Sequence, residues 1–259
     1  MKNGSPASRE KGFRLIDAPA IGWRYWVVLC CASVLGADLG DLLSRELGLG
    51  YWRGLPVLIA AFCFLLFASR RAPRSTVWYW LSIVIVRAAA TNLADWQALN
   101  EGQPPSLRFD AAFPVVIGTW SVLLVLLALR DRRETQGQVR TNTDLWFWGT
   151  MLAAGTLGTA VGDWLAFLSG LGLQGATALT TVALAVALVT LVEKARSQIF
   201  PFWILVSIIR TWGTNVGDLS ADATGGWLTF GVAAVSTLIA FVLLYESKMF
   251  ADNEPSNGH

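Results

Sequence analysis

The sequence predicts an all-α polytopic transmembrane bundle of eight helices, built as four parallel two-helix repeats with pseudo-twofold pairing. Three observations carry this. The 259 residues are 54% hydrophobic and 15% charged, with a mean hydropathy of +0.50, whereas soluble domains carry about 25% charged residues. The apolar residues fall into eight long runs. One tryptophan-to-aspartate interval recurs four times along the chain.

The runs lie at residues 23–40, 54–70, 76–93, 112–130, 144–162, 174–193, 199–216 and 226–246. A helix needs ~20 residues to cross the ~30 Å hydrocarbon layer, so the shorter runs imply tilt or helical ends that extend further. Lipid leaves free backbone groups unsatisfied, so open sheets are excluded. The organisation reads as a disordered tail at 1–20, repeat one at 21–72, repeat two at 73–133, a linker at 134–142, repeat three at 143–197, repeat four at 198–249 and a second disordered tail at 250–259. The N-terminus has no cleavable-signal pattern.

Basic residues orient the bundle. Lys2, Arg9, Lys11, Arg14, Arg24, Arg70, Arg71, Arg74, Arg130, Arg132, Arg133, Arg140, Lys194, Arg196 and Lys248 lie on one side, fifteen in all, against Arg45, Arg53 and Arg108 on the other. By the positive-inside rule both termini are expected to be cytoplasmic.

The odd-numbered helices share a motif. It reads Gly36-Ala37-Asp38-Leu39-Gly40-Asp41, Ala90-Thr91-Asn92-Leu93-Ala94-Asp95, Gly158-Thr159-Ala160-Val161-Gly162-Asp163 and Gly213-Thr214-Asn215-Val216-Gly217-Asp218. Trp26, Trp80, Trp148 and Trp203 each precede their aspartate by fifteen residues and each follow an aromatic, Tyr25, Tyr79, Phe147 or Phe202. Such self-similarity marks an internal duplication. Repeats two and four add an arginine eight residues before the aspartate (Arg87, Arg210) and a Thr-Asn pair; repeats one and three have Ser33 and Gly155 there and share a Leu-Gly-Leu run, Leu47–Leu49 with Leu171–Leu173.

On these tryptophans and glycine-aspartate marks the chain resembles a bacterial membrane-protein family defined by four tandem two-helix repeats of unknown function, each with a characteristic tryptophan. The resemblance covers about residues 20 to 250. It implies the architecture and a multi-pass location in the bacterial inner membrane, and it carries no activity. Repeat two departs, with Ala90 and Ala94 for glycines and a Pro-containing loop from Gly102 to Arg108.

Two spans per repeat make the four motif helices parallel, unlike the inverted repeats of many transporters. The tryptophans are then expected as interface anchors in an aromatic belt. Fifteen residues at ~1.5 Å each put the aspartates ~22 Å deeper, at one common level, with the arginines ~12 Å nearer the tryptophans. Small residues four apart allow close helix approach. Intramembrane charges are costly and mark function by default. Asp41, Asp95, Asp163 and Asp218 are therefore candidates for ion binding or proton coupling and, as oxygen ligands, for a hard metal cation. Asp38, Asn92 and Asn215, in one aligned column, are candidates to extend that site. Arg87 and Arg210 are candidate charge partners or a gate. Thr177, Thr180, Thr181 and Thr190 are expected to bond back to their own helix.

The remaining composition is exclusionary. The one histidine is His259, and Cys30, Cys31 and Cys63 lie in apolar runs without metal spacing. No cofactor or catalytic motif is present, so an enzyme is not expected. Net charge is +2, which gives no general basic field for nucleic acid. The expected partners are the lipid bilayer and a cation, and the leading reading is a small secondary transporter or exporter. The alternative is a non-transporting scaffold whose aspartates are all paired and whose interior has no polar cavity.

Overall fold

The computed structural model describes residues 16, 18–71, 76–98, 113–134 and 143–246. The 134–142 linker, the Gly102–Arg108 loop and the 250–259 tail lie wholly or almost wholly outside the described residues. Among the described residues eight helices follow in order: α1 (Trp23–Asp41, running on as a wider π-type turn over Leu42–Glu46), α2 (Gly50–Ser69), α3 (Val77–Ala98) and α4 (Phe113–Glu134). Then come α5 (Leu145–Asp163, with a π-type turn over Trp164–Leu168), α6 (Gly172–Ala195), α7 (Ile199–Thr224) and α8 (Gly226–Phe241, with a π-type turn over Val242–Glu246). Seven are long and apolar enough to cross a membrane, and α4 has a shorter apolar stretch, Pro114–Arg130. The chain is an integral membrane protein.

The motif helices run on past their aspartates, to Glu46, Ala98, Leu168 and Thr224. The short spans read from the sequence are thus helices whose polar ends fall outside the apolar runs. More than half of the apolar window of α1, α3, α5 and α7 is buried, against under a quarter for α2, α6 and α8. The first four are the inner helices and the others a lipid-facing shell.

The inner helices form a closed ring, α1 against α3, α3 against α5, α5 against α7 and α7 against α1. Each outer helix packs chiefly on the inner helix of the next repeat: α2 on α3, α4 on α5, α6 on α7 and, closing the circle, α8 on α1. The backbone thus approaches fourfold symmetry, and the twofold pairing is written in side chains and turns. Repeats one and three both place a π-type turn directly after the aspartate. Both then cross over through two glycines at positive φ, Gly48 and Gly50 (65° and 68°), Gly170 and Gly172 (80° and 67°). Only glycine enters that region without a steric cost. The structural register is therefore Gly48-Leu49-Gly50 on Gly170-Leu171-Gly172, two residues away from the Leu-Gly-Leu match read in the sequence.

The ring closes at small residues. A Cβ at Gly36 would lie 2.5 Å from Arg87 Cβ, one at Gly158 2.5 Å from Arg210 Cβ, and one at Gly213 would overlap the Ser33 hydroxyl. Each of these three glycines, five residues before its aspartate, thus meets the residue eight before the aspartate on the following helix. At the α3–α5 seam the roles are exchanged: Ala90 carries the Cβ, and Gly155 leaves room for it, since a Cβ there would lie 2.6 Å from that of Ala90. The alanines of repeat two are accommodated by the partner's glycine.

The tryptophans are not belt anchors. Trp26, Trp80, Trp148 and Trp203 are at most 5% exposed, whereas an anchor must reach the headgroups. Each packs against the aromatic of the preceding repeat, at ring-centroid distances of 5.4 Å (Tyr25–Trp80), 5.9 Å (Tyr79–Trp148), 5.8 Å (Phe147–Trp203) and 5.5 Å (Phe202–Trp26). The tyrosine hydroxyls of Tyr25 and Tyr79 are hydrogen-bonded at 2.8 Å. The result is an aromatic plug across one end of the ring. The N-terminal tail, expected to be disordered through residue 20, is pinned at Ile16, which is buried and exchanges hydrogen bonds with Thr143 through its backbone N–H and carbonyl.

Substituting Gly158→Ala drives a methyl into Arg210 Cβ, whereas Gly149→Ala, with nothing within 4 Å, meets open space. Overpacking costs about 1–3 kcal/mol. The melting temperature of the detergent-solubilised protein is expected to fall for the first substitution and to hold or rise for the second. Equal melting temperatures would remove the seam argument.

A candidate acidic cavity in the inner ring

The side chains of the inner helices stack in layers. Next to the aromatic plug lie the two arginines, both essentially unexposed. They are not ion-paired to the aspartates: among the described residues no carboxylate lies within salt-bridge distance of either. Arg87 instead sits in a cage of threonines. Its Nη1 donates to Thr91 Oγ1 (2.9 Å) and Thr159 Oγ1 (2.7 Å), and its Nη2 to Thr214 Oγ1 (2.6 Å) and to the carbonyl of Arg210 (3.3 Å). Among the described residues Arg210 reaches only Met151 Sδ, at 3.9 Å, and its Nε and Nη1 have no hydrogen-bond partner there.

The difference follows from the repeat. The cage column lies four residues before the aspartate and reads Ala37, Thr91, Thr159, Thr214. Arg87 uses the hydroxyls of its own helix and of the next two. The same rotation gives Arg210 the hydroxyls of Thr214 and Thr91, which Arg87 shares, and Ala37, which has none. The ring has one polar seat for two arginines, and Arg87 holds it.

Beyond this layer the four aspartates line one cavity of about 440 Å³. Its wall is made of Asp38, Asp41, Asp95, Asp163 and Asp218, with Glu46 and Asp222 nearer the rim and Leu42, Phe167, Leu173 and Thr229 between them. Among the described residues, seven acids meet one base there, Arg45. Arg45 stands four residues after Asp41 on the same helix face. Its Nε lies 3.4 Å from Asp41 Oδ1 and its Nη2 3.6 Å from Asp95 Oδ2, and its Nε also donates to Tyr51 Oη at 3.1 Å. Asp163 (8% exposed) and Asp38 (6% exposed) have no such partner among the described residues, and Asp38 Oδ2 is buried without a hydrogen bond.

Two expectations are corrected here. The metal set of Asp41, Asp95, Asp163 and Asp218 does not form, since no group of three or more His, Cys, Asp or Glu among the described residues is close enough to hold an ion. The carboxylates come one per helix from around the ring, and Arg45 stands between two of them. Asn92 and Asn215 do not extend the cavity, because outer helices cover their column. The Asn92 amide faces Gly54 of α2, where a Cβ would lie 2.5 Å away, and Asn215 Nδ2 donates to Thr180 Oγ1 of α6 at 3.3 Å. Asp38, the third member of that column, does line the cavity, as do Gly225 and Gly226 at the start of α8.

In sequence Arg45 looks like a loop charge; its spacing of four residues from Asp41 is the signal of its role. The threonine cage was present in the motif but unassigned. Thr177, Thr180, Thr181 and Thr190 do bond back to carbonyls of α6, and Thr181 also accepts from Trp212 Nε1 at 3.1 Å. Cys30 and Cys31 are half-buried free thiols away from the cavity wall.

Against known proteins, the family model described as Repeat of Unknown Function (DUF347) matches twice, over residues 24–75 and 146–197. These are repeats one and three; the arginine-bearing repeats lie outside the matched residues. No curated protein and no solved structure matches significantly.

The two arginines should differ in worth. Charge-assisted hydrogen bonds contribute about 1.5–3 kcal/mol each when formed, and a buried charge without partners contributes none. Arg87→Met is expected to lower the melting temperature in detergent by several degrees, and Arg210→Met to change it little or raise it. A larger loss for Arg210→Met would contradict the single seat.

Proposed function

We propose that this membrane protein, which carries the repeat of unknown function twice, is a small secondary transporter or exporter that takes a cation as substrate or coupling ion. The observation that carries this reading is the cavity of about 440 Å³ into which all four repeats deliver an aspartate. Such a volume lies within the range of small-ligand sites. Rings of carboxylates raise the local concentration of cations, and an excess of acids that is not neutralised in place is costly inside a membrane unless something cationic visits.

The rest of the ring fits the same reading. The cavity is reached from the aspartate end. Towards the tryptophan end it is closed first by the Arg87 guanidinium and its threonines, then by the aromatic plug. A fixed positive charge behind an acidic cavity holds a cation at the carboxylates until the layer rearranges. In this reading Asp163 and Asp218 take the cation, Arg87 and Arg210 form the barrier, and no step is enzymatic. The termini and the basic face are cytoplasmic, which turns the acidic mouth outward.

A scaffold without transport has one feature in its favour, the Arg45 bridge, which neutralises Asp41 and Asp95 in place. It leaves Asp38, Asp163 and Asp218 unaccounted for.

The test is reconstitution into liposomes, with flux of protons or of Mn²⁺ followed by entrapped dyes. Flux is expected in the wild type and a fall of tenfold or more for Asp163→Asn and Asp218→Asn. Flux that is absent, or indifferent to both substitutions, rules out the transporter.

A further inference from the structure

The repeat offers an internal control for what the cavity holds. Arg45 is a guanidinium tethered by its own chain between the aspartates of repeats one and two. Four residues after the aspartate, repeats three and four have Phe167 and Asp222. Among the described residues, the matching place between Asp163 and Asp218 thus has the two carboxylates and no chain-borne cation. Phe167 stands where Arg45 stands in repeat one, on a matching π-type turn, and it too lines the cavity. Asp163, more than nine-tenths buried, faces this space without an ion pair or hydrogen bond among the described residues.

From this juxtaposition we infer that the Asp163–Asp218–Phe167 half of the cavity is a binding subsite for the head of an organic cation with N–H donors, an ammonium or guanidinium group. The inference rests on the transporter reading and narrows its substrate class. Three features select such a head over a bare metal ion. The two carboxylates belong to different helices, as Asp41 and Asp95 do across Arg45. No three acids close on one point. Phe167 adds an aromatic side chain to the cavity wall, and aromatic rings attract desolvated organic cations by their quadrupole. N–H donors directed at separate carboxylates use charge-assisted hydrogen bonds. The apolar residues Leu42 and Leu173 also line the cavity and suit a short methylene chain behind the head.

The test is calorimetric titration of the full-length protein in detergent with putrescine and with agmatine. Mn²⁺ and tetramethylammonium, which lacks N–H donors, serve as comparisons. Saturable binding of one or both amines is expected, with a tenfold or larger weakening by Asp163→Asn and Asp218→Asn and little binding of tetramethylammonium. The decisive variant is Phe167→Arg. It supplies repeat three with the tethered cation of repeat one, and it is expected to abolish amine binding while raising the melting temperature. Because a stabilised variant is folded, its loss of binding cannot be ascribed to unfolding. Absence of amine binding to the wild type, unchanged binding by Phe167→Arg, or equal binding of tetramethylammonium overturns the inference. If the amines fail while aspartate-dependent proton or Mn²⁺ flux persists in liposomes, the subsite falls and the transporter stands. If that flux is absent as well, both fall.

Discussion

The structure depends on one contact repeated around a ring: a small residue five before the aspartate pressed against the residue eight before the aspartate on the next helix. At Gly36, Gly158 and Gly213 a Cβ would strike the neighbour, and at the remaining seam Gly155 yields to Ala90. Apolar burial does not drive inner helices together in lipid, so close packing must do so. Once the helices touch at this level, their rotation is set. The residues four before the aspartates then form the central threonine layer, and the aspartates turn towards a shared cavity. The outer helices have no such contact with one another and serve as cover, each displaced by one repeat so that the ring is stapled from outside.

A ring of four equivalent backbones with two arginines cannot stay fourfold, and it cannot be twofold either. The threonine layer supplies three hydroxyls, because Ala37 breaks the column, and Arg87 uses all three. Arg210 occupies the equivalent place one half-turn away with two of its nitrogens unsatisfied. Burying an unsatisfied guanidinium is among the costlier arrangements a membrane interior permits. Its cost is offset by packing elsewhere, and its presence marks this layer as the least relaxed in the ring. The asymmetry between two duplicated halves is therefore a property of a single alanine, not of the topology.

Much of this was legible in the sequence. The eight helices, their inner and outer division, the parallel motif helices and the common depth of Asp41, Asp95, Asp163 and Asp218 follow from hydropathy and from one fixed spacing. What was not legible depended on rotation about the helix axis. The tryptophans look like belt residues in sequence because depth is readable and azimuth is not; in the ring they face their neighbours. Asn92 and Asn215 share a column with Asp38, yet α2 and α6 cover them while Asp38 borders the mouth beside α8. Charge alone pairs the arginines with the carboxylates, whereas for Arg87 the threonines are the nearer acceptors. The cage needed three helices at once, which no single motif displays.

The charge layout then has a direction. Aromatic rings seal one end, a caged guanidinium lies behind them, and among the described residues seven acids with one base line the cavity at the other end. Coulomb attraction at partly buried sites is several-fold stronger than in bulk water, so a cation entering the mouth gains most near the inner aspartates and meets opposing charge one layer further in. Asp41 and Asp95 are already held by Arg45, which leaves the attraction concentrated on the opposite wall, at Asp163 and Asp218. Duplication made four equal carboxylates; a single arginine in one repeat, and its replacement by phenylalanine in another, made one pair structural and left the other exposed to the cavity.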